Sequence, residues 1–421
     1  MSSLAYAALW VFVFSVPWER IIMLPGVSII TRVTGALALG LTLLAVVTSG
    51  RVRRWHPLHV SALLFVIWSG IGVLVFHMEK VPDKFYTFVQ LLLVPWMIWE
   101  LAPSRGRQLG LLLAYLFGAY IAAFDGLLLF ASQAGSLRRF AAGGADPNSN
   151  AMTLALALPI AWYMATTHHR PLLRLICRAY LPVGLFAIAL TGSRGGMIAS
   201  VVALLIVPLT MTNLSPGRMV AAIAMLAISG ALAVAYVPET LVERLASTRE
   251  SVQGLSFGGR FKLWTAGIHA FGQRPLMGYG TAAFRNAVYP ELGALTQVAH
   301  NSFISILVEE GLVGLLLYLF MFVAAFLAIL RLAGVERRFG LILLATLFVA
   351  MLPLTWEDQK PVWFILGALV GLSNAQVTRS SSAVRGPAAP QPAPIGSPSV
   401  AARASHRAPS AGRDFGRNVS A

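Results

Sequence analysis

AHNSFISILVEEGLVGLLLYLFMFVAAFLAIL (residues 299–330) opens with a polar head and then runs apolar to Leu330, interrupted only by Glu309 and Glu310. A helix needs about 20 apolar residues to cross the hydrocarbon core of a bilayer, and residues 303–330 exceed that. Immediately upstream lies the one long polar interruption of the chain, residues 238–299. Nearly everything else alternates long apolar runs with short basic loops.

The composition agrees with that reading. The 421 residues are 57% hydrophobic and 11% charged, with a mean hydropathy of +0.74. That much apolar surface cannot be hidden inside a soluble domain, so the expected class is an all-α integral membrane protein. The formal net charge of +16 invites a nucleic-acid reading. The arginines, however, sit in small clusters between apolar runs, as membrane orientation requires, and no nucleic-acid partner is expected. A single cysteine, Cys177, excludes an intrachain disulfide and a cysteine-based metal site. Residues 1–18 lack a basic start and a small-residue cleavage site, so the first run is expected to remain as a span.

Apolar runs long enough, or nearly so, to cross a bilayer lie near 4–18, 27–48, 58–77, 85–102, 109–131, 148–167, 177–192, 195–213, 219–237, 303–330, 339–355 and 361–375, about twelve in all. With the N-terminus in the cytoplasm, alternation puts Arg51, Arg53 and Arg54, Arg105 and Arg107, Arg170, Arg174 and Arg178, Arg218, and Arg331, Arg337 and Arg338 on the inside. The inverse orientation strands these clusters outside, against the positive-inside bias. Both termini are therefore expected in the cytoplasm and the 238–299 loop in the periplasm. Residues 1–375 read as one membrane domain and 376–421, rich in Ala, Pro, Ser and Gly, as a disordered tail.

Within the loop, a helical pattern follows Gly258-Gly259, with Arg260, Trp264, Ile268 and Phe271 on one face, and ends before Pro275. A second short helix, Thr281 to Tyr289, carries Arg285 after the Gly278-Tyr279-Gly280 turn. Both suit a surface-lying amphipathic lid.

The outward face gathers the residues with chemistry. Arg194 sits in a turn with Gly192, Gly195 and Gly196, where glycines allow close backbone approach to a ligand and a guanidinium grips phosphate oxygens in pairs. Its bland reading is an arginine snorkelling at a helix end. Arg260, in the first turn of a helix, sits where free N–H groups also favour an anion. Arg260 and Arg285 each read equally well as solvated loop charges. His300 can accept a proton near neutral pH, against the alternative of a packed or capping histidine. Asn301 follows it. Turning about 100° per residue, an unbroken helix carries Glu309 and Glu310 away from His300, so Glu310 is at most a supporting residue. Asp125 within a span needs a partner, and Arg32 is the candidate. No outward His or Asp/Glu pair has metal-ligand spacing, and neither a metal nor a cofactor is expected.

The pieces DPNSNAMTLALALPIAW (146–162), LTGSRGG (190–196), GGRFKLWTAGIHAFGQRPLMGYG (258–280) and AHNSFISILVEEGLVGLLLY (299–318) together resemble the O-antigen ligase and polymerase superfamily of bacterial envelope enzymes. The resemblance implies a metal-independent, inverting glycosyltransferase of the inner membrane that takes an undecaprenyl-diphosphate-linked glycan as donor. By position it matches Arg194, with one or both of Arg260 and Arg285, to the arginines that hold the diphosphate, and His300 to the histidine that activates the acceptor hydroxyl. A ligase delivers the polysaccharide to a sugar of the lipid A core. The alternative, a polymerase, delivers it to another lipid-linked repeat unit. A transporter of lipid-linked oligosaccharide is the competing class. It calls for charges through a central cavity and for repeat symmetry, whereas this chain shows one-sided charges and no internal repeat.

Overall fold

The computed structural model describes residues 1–24, 28–76, 82–133, 139–211, 215–236, 260–293 and 297–384. The chain divides into two units, Met1–Ser380 and Ser381–Ala421. Residues 238–259 of the 238–299 loop, with the Gly258-Gly259 pair, and the expected tail beyond Val384 lie outside the described residues.

The first unit is helical. Its helices, in chain order, are α1 (Ser2–Ser15), α2 (Ile30–Ser49), α3 (Pro57–Val75), α4 (Asp83–Leu101), α5 (Arg105–Gln133), α6 (Pro147–Thr167), α7 (Pro171–Leu190), α8 (Arg194–Leu204), α9 (Ile206–Met211) and α10 (Pro216–Tyr236). They continue with α11 (Arg260–Gln273), α12 (Phe284–Leu292), α13 (Ser302–Leu330), α14 (Gly334–Met351) and most of α15 (Lys360–Val384). A two-residue antiparallel pair, Met23–Leu24 with Ser28–Ile29, links α1 to α2. Among the described residues each apolar run read from the sequence is mostly helix, and five helices (α2, α3, α5, α7 and α13) are long and apolar enough to cross a membrane by length and composition. The protein is thus a helical membrane protein. α15 continues to Val384, past the boundary expected at 375.

α6 is the centre of the bundle. Asp146 caps its start, accepting from the Ser149 N–H at 2.9 Å, and Pro147 occupies the first turn, where a missing N–H costs nothing. From Asn150 to Ala165 every residue is buried, so this helix is covered on all sides, against α5, α7, α8 and α14. Alanines at 151, 155, 157, 161 and 165 let the neighbouring backbones come close, the packing mode available where lipid removes the hydrophobic drive between helices. Tyr115 and Tyr180 donate their hydroxyls to the Thr153 and Leu154 carbonyls, each at 3.0 Å. Asp125, expected beside Arg32, instead accepts from the Gly143 N–H at 2.8 Å, closing the turn that leads into α6.

The layer formed by α11 and α12 packs on the first turns of α13 around its own small core: Ala266, Ala270, Phe284, Ala287, Val288, Ala299 and Val308. The buried face of α11 is Leu263, Ala266, Gly267 and Ala270. The expected stripe is rotated, since Ile268 is 47% exposed. The large residues Trp264 and Phe271 lie at the edges of that face, because Gly267 faces Phe284, Ile304 and Val308 closely and only small side chains fit in the middle. α12 begins three residues later than the pattern suggested, after Ala282 adopts a left-handed φ of 64°.

α13 does not run straight. At Gly311 (φ 68°, ψ −170°) the helix opens, and the chain from Pro275 to Gly280 fills the gap. Tyr279 and Gly280 donate to the Val308 and Glu309 carbonyls at 3.0 and 2.8 Å, and Leu312 donates to the Pro275 carbonyl at 2.8 Å. A Cβ at Gly311 would sit 2.2 Å from the Leu276 oxygen, and one at Gly278 would sit 2.5 Å from those of Val308 and Glu309. Both positions require glycine for conformation and for space.

Candidate functional site

His300 is held by the residues on either side of it. Before it, the Ala299 carbonyl accepts from Trp264 Nε1 of α11 at 2.9 Å. After it, Asn301 is the N-cap of α13, its Oδ1 accepting from the Phe303 and Ile304 N–H groups at 2.9 and 3.0 Å. The His300 N–H itself donates to Thr355 Oγ1 at 2.9 Å. Ser302 Oγ donates to the Leu354 carbonyl and accepts from the Trp356 N–H, both at 2.8 Å. The loop from Pro353 to Glu357 is therefore a platform beneath the histidine. His300 has φ 48°, a left-handed conformation that a non-glycine residue adopts at a cost of about 1–3 kcal/mol. Such strain is held in place by surroundings that over-determine it.

The imidazole is half-buried, and burial is the largest cause lowering its pKa; the Arg260 guanidinium lowers it further, while Asp146 opposes both. The result is an imidazole that is neutral, and able to accept a proton, at neutral pH. Arg260 begins α11, one turn before Trp264, and is the arginine whose charge the histidine feels.

Arg194 opens α8 after the N-cap Ser193, whose Oγ accepts from the Gly196 N–H at 3.2 Å. Two of the glycines after it, Gly195 and Gly196, are closely packed. A Cβ at Gly195 would lie 2.7 Å from both Met152 and Pro353, and one at Gly196 would lie 2.4 Å from Ala151. That contact brings the start of α8 against the start of α6 and against the same 353–357 platform. Arg139 joins them, donating from Nε to the Thr191 carbonyl at 2.7 Å and from a terminal nitrogen to Asn148 Oδ1 at 2.8 Å. Trp356 Nε1 donates to Ser149 Oγ at 2.8 Å, tying the platform to α6. The first turns of α6, α8, α11 and α13 are thus linked through one loop and its neighbours.

Two other sequence candidates stand apart. Arg285 is exposed on α12, and among the described residues no hydrogen bond or ion pair engages it. Glu310 is buried, accepting from Thr281 Oγ1 at 2.8 Å, and its carbonyl accepts from Trp68 Nε1 at 2.8 Å. The helix break falls at Gly311, after Glu310, so the turn count from Ser302 to the glutamates is uninterrupted. Sequence reasoning did not single out Asp146, Arg139 or Thr355. The Asp146-Pro147 pair was readable as a helix start, whereas nothing local marks Thr355.

The fold defines a helical membrane protein in which the Arg260 charge reaches the His300 imidazole. Residues 179–319 match the family model described as O-antigen ligase, which places that segment in the O-antigen ligase superfamily. The match contains Arg194, Arg260, Arg285 and His300, and it ends short of the 353–357 platform. No curated protein matches the chain.

Proposed function

We propose that this protein is a membrane glycosyltransferase that moves a glycan from undecaprenyl diphosphate to an acceptor sugar hydroxyl on the periplasmic face, with a lipid A core sugar as the acceptor. The observation that carries the reading is His300, fixed in a left-handed conformation by Thr355 and Trp264 and kept neutral by burial and by Arg260. His300 takes the proton from the acceptor hydroxyl as its oxygen attacks the anomeric carbon. The bond from that carbon to the diphosphate oxygen breaks, and the electron pair leaves with the diphosphate. Arg194 and Arg260 stabilise the charge that grows on the leaving group, the interaction that lowers a barrier most when donors are already in place. Attack opposite the leaving group inverts the anomeric centre. Arg285, exposed on α12, is the third arginine assigned to the diphosphate in this reading.

In this reading the apolar runs make twelve spans, both termini are cytoplasmic, and the 238–299 loop is periplasmic, in the inner membrane. The basic loops at Arg51–Arg54, Arg105–Arg107 and Arg331–Arg338 support that orientation. The surrounding lipids are its other partners.

The test uses purified protein in proteoliposomes with lipid-linked donor and both acceptors, lipid A core and a second lipid-linked unit. Transfer to lipid A core that His300→Ala abolishes, with donor binding retained, is the expected result. Extension of the lipid-linked unit instead would identify a polymerase. Movement of donor across the bilayer without any glycosidic bond formed would replace the enzyme by a transporter.

A further inference from the structure

Lys84, in the first turn of α4, has a side chain only 11% exposed, and its Nζ lies 2.7 Å from Glu309 Oε2, 2.5 Å from Glu357 Oε1 and 3.3 Å from Ser305 Oγ. None of these groups touches the reacting centre described above. Each, however, belongs to a segment that holds it. Glu357 ends the platform whose Leu354, Thr355 and Trp356 bind Ser302 and the His300 backbone. Its side chain is fully buried, and among the described residues its Oε2 has no hydrogen-bond partner, so Lys84 is the counter-charge it relies on. Glu309 and Ser305 lie on the part of α13 that starts at Asn301. Glu309 also accepts from the Ala282 and Phe284 N–H groups at 3.1 and 3.4 Å, holding the start of the helix that carries Arg285.

The geometry points to Lys84 as a positioning residue: one ammonium group locks α13, the 353–357 platform and the start of α12 together, and thereby fixes His300 against Arg260. This rests on the reading of His300 as the base. A buried carboxylate deprived of its partner either takes up a proton or draws in water, and in both cases two carboxylates lose the charge that holds them close. The platform then shifts under His300. Displacement of a reacting group by about 1 Å from a distant change costs on the order of 10²-fold in rate.

The experiment compares transfer kinetics of purified wild type, Lys84→Met, the charge-neutral Lys84→Met/Glu309→Gln/Glu357→Gln, and His300→Ala. Lys84→Met should lower kcat about 10²-fold with the donor KM little changed. The charge-neutral triple variant should recover most of that loss, because removing all three charges removes the unpaired carboxylates. A Lys84→Met enzyme that turns over normally beside an inactive His300→Ala enzyme overturns the inference and leaves the reading of His300 intact. A raised donor KM without recovery in the triple variant also overturns it, making Lys84 a substrate contact. Full activity of His300→Ala removes the reading on which the inference stands, whatever Lys84 does. Should Lys84→Met not yield monodisperse protein, Glu357→Gln carries the test. It keeps the shape and leaves Lys84 facing Glu309, and kcat should still fall by about tenfold at unchanged KM; wild-type turnover would overturn the proposal.

Discussion

Replacing Gly311 by alanine should uncouple the α11–α12 layer from the membrane helices while leaving the bundle folded. Two costs add. The backbone there has φ 68° and ψ −170°, a region that L side chains occupy only under strain, worth about 1–3 kcal/mol. The new methyl would also sit 2.2 Å from the Leu276 oxygen and 2.7 Å from the Gly278 nitrogen, both backbone atoms. They cannot swing aside as a side chain would, so the 275–280 segment must withdraw. Withdrawal breaks the bonds from Tyr279 to Val308, Gly280 to Glu309 and Leu312 to Pro275. At about 1 kcal/mol net for each hydrogen bond, the three contribute roughly 3 kcal/mol. The sum is about 4–6 kcal/mol of local stability, which is at least about three orders of magnitude in the opening equilibrium of these amides. Amide hydrogen exchange of the protein in nanodiscs reads this directly: Tyr279, Gly280 and Leu312 should lose protection by about that factor, while α6 stays protected. Gly40→Ala is the control, since its Cβ would meet nothing within 4 Å, and it should be neutral or slightly stabilising. Native protection at Tyr279 and Gly280 together with native transfer in Gly311→Ala would refute the account of the helix break.

The pH profile probes His300 through its neighbours. Transfer should rise with pH along an acid limb set by a pKa below the usual histidine value, because only the neutral imidazole accepts a proton. Asp146 opposes the lowering, so Asp146→Asn, which still caps α6, should move that limb to lower pH; a shift upward or none at all speaks against the pairing. Arg260→Ala should move it upward and weaken donor binding as well. Arg194→Lys keeps the charge and loses the planar fork, so transfer should fall by about tenfold or more in a donor-saturation assay, while Arg338→Ala, near the start of α14 and on the proposed cytoplasmic side, should leave it unchanged. Orientation is checked with thiols, since the single native Cys177 is buried. Lys262→Cys should react with an impermeant reagent in outer-membrane-permeabilised cells and Arg51→Cys should not; the reverse labelling inverts the topology.

Much of this protein is legible along the chain. Apolar run length alone places the helices, because in lipid a backbone must satisfy its own hydrogen bonds and long apolar helix is the local solution. The turn at Ser193-Arg194 and the helix start at Arg260 are equally local, and they appear where the residues promise them. Other features depend on which segments meet. The rotated face of α11 follows from the fit of Gly267 against Phe284 and Ile304, and the use of Gly195 and Gly196 follows from Met152, Ala151 and Pro353. No local pattern can foresee either. Thr355 meets His300 across 55 positions of sequence, and Lys84 meets Glu357 across 273. Charge, polarity and helix propensity belong to single residues and short windows, so the sequence by itself determined the class of protein and its helices. Strain at His300, the break at Gly311 and the burial of Lys84 between two carboxylates are properties of a packed arrangement, in which distant segments supply the partners, and only the tertiary structure decided them.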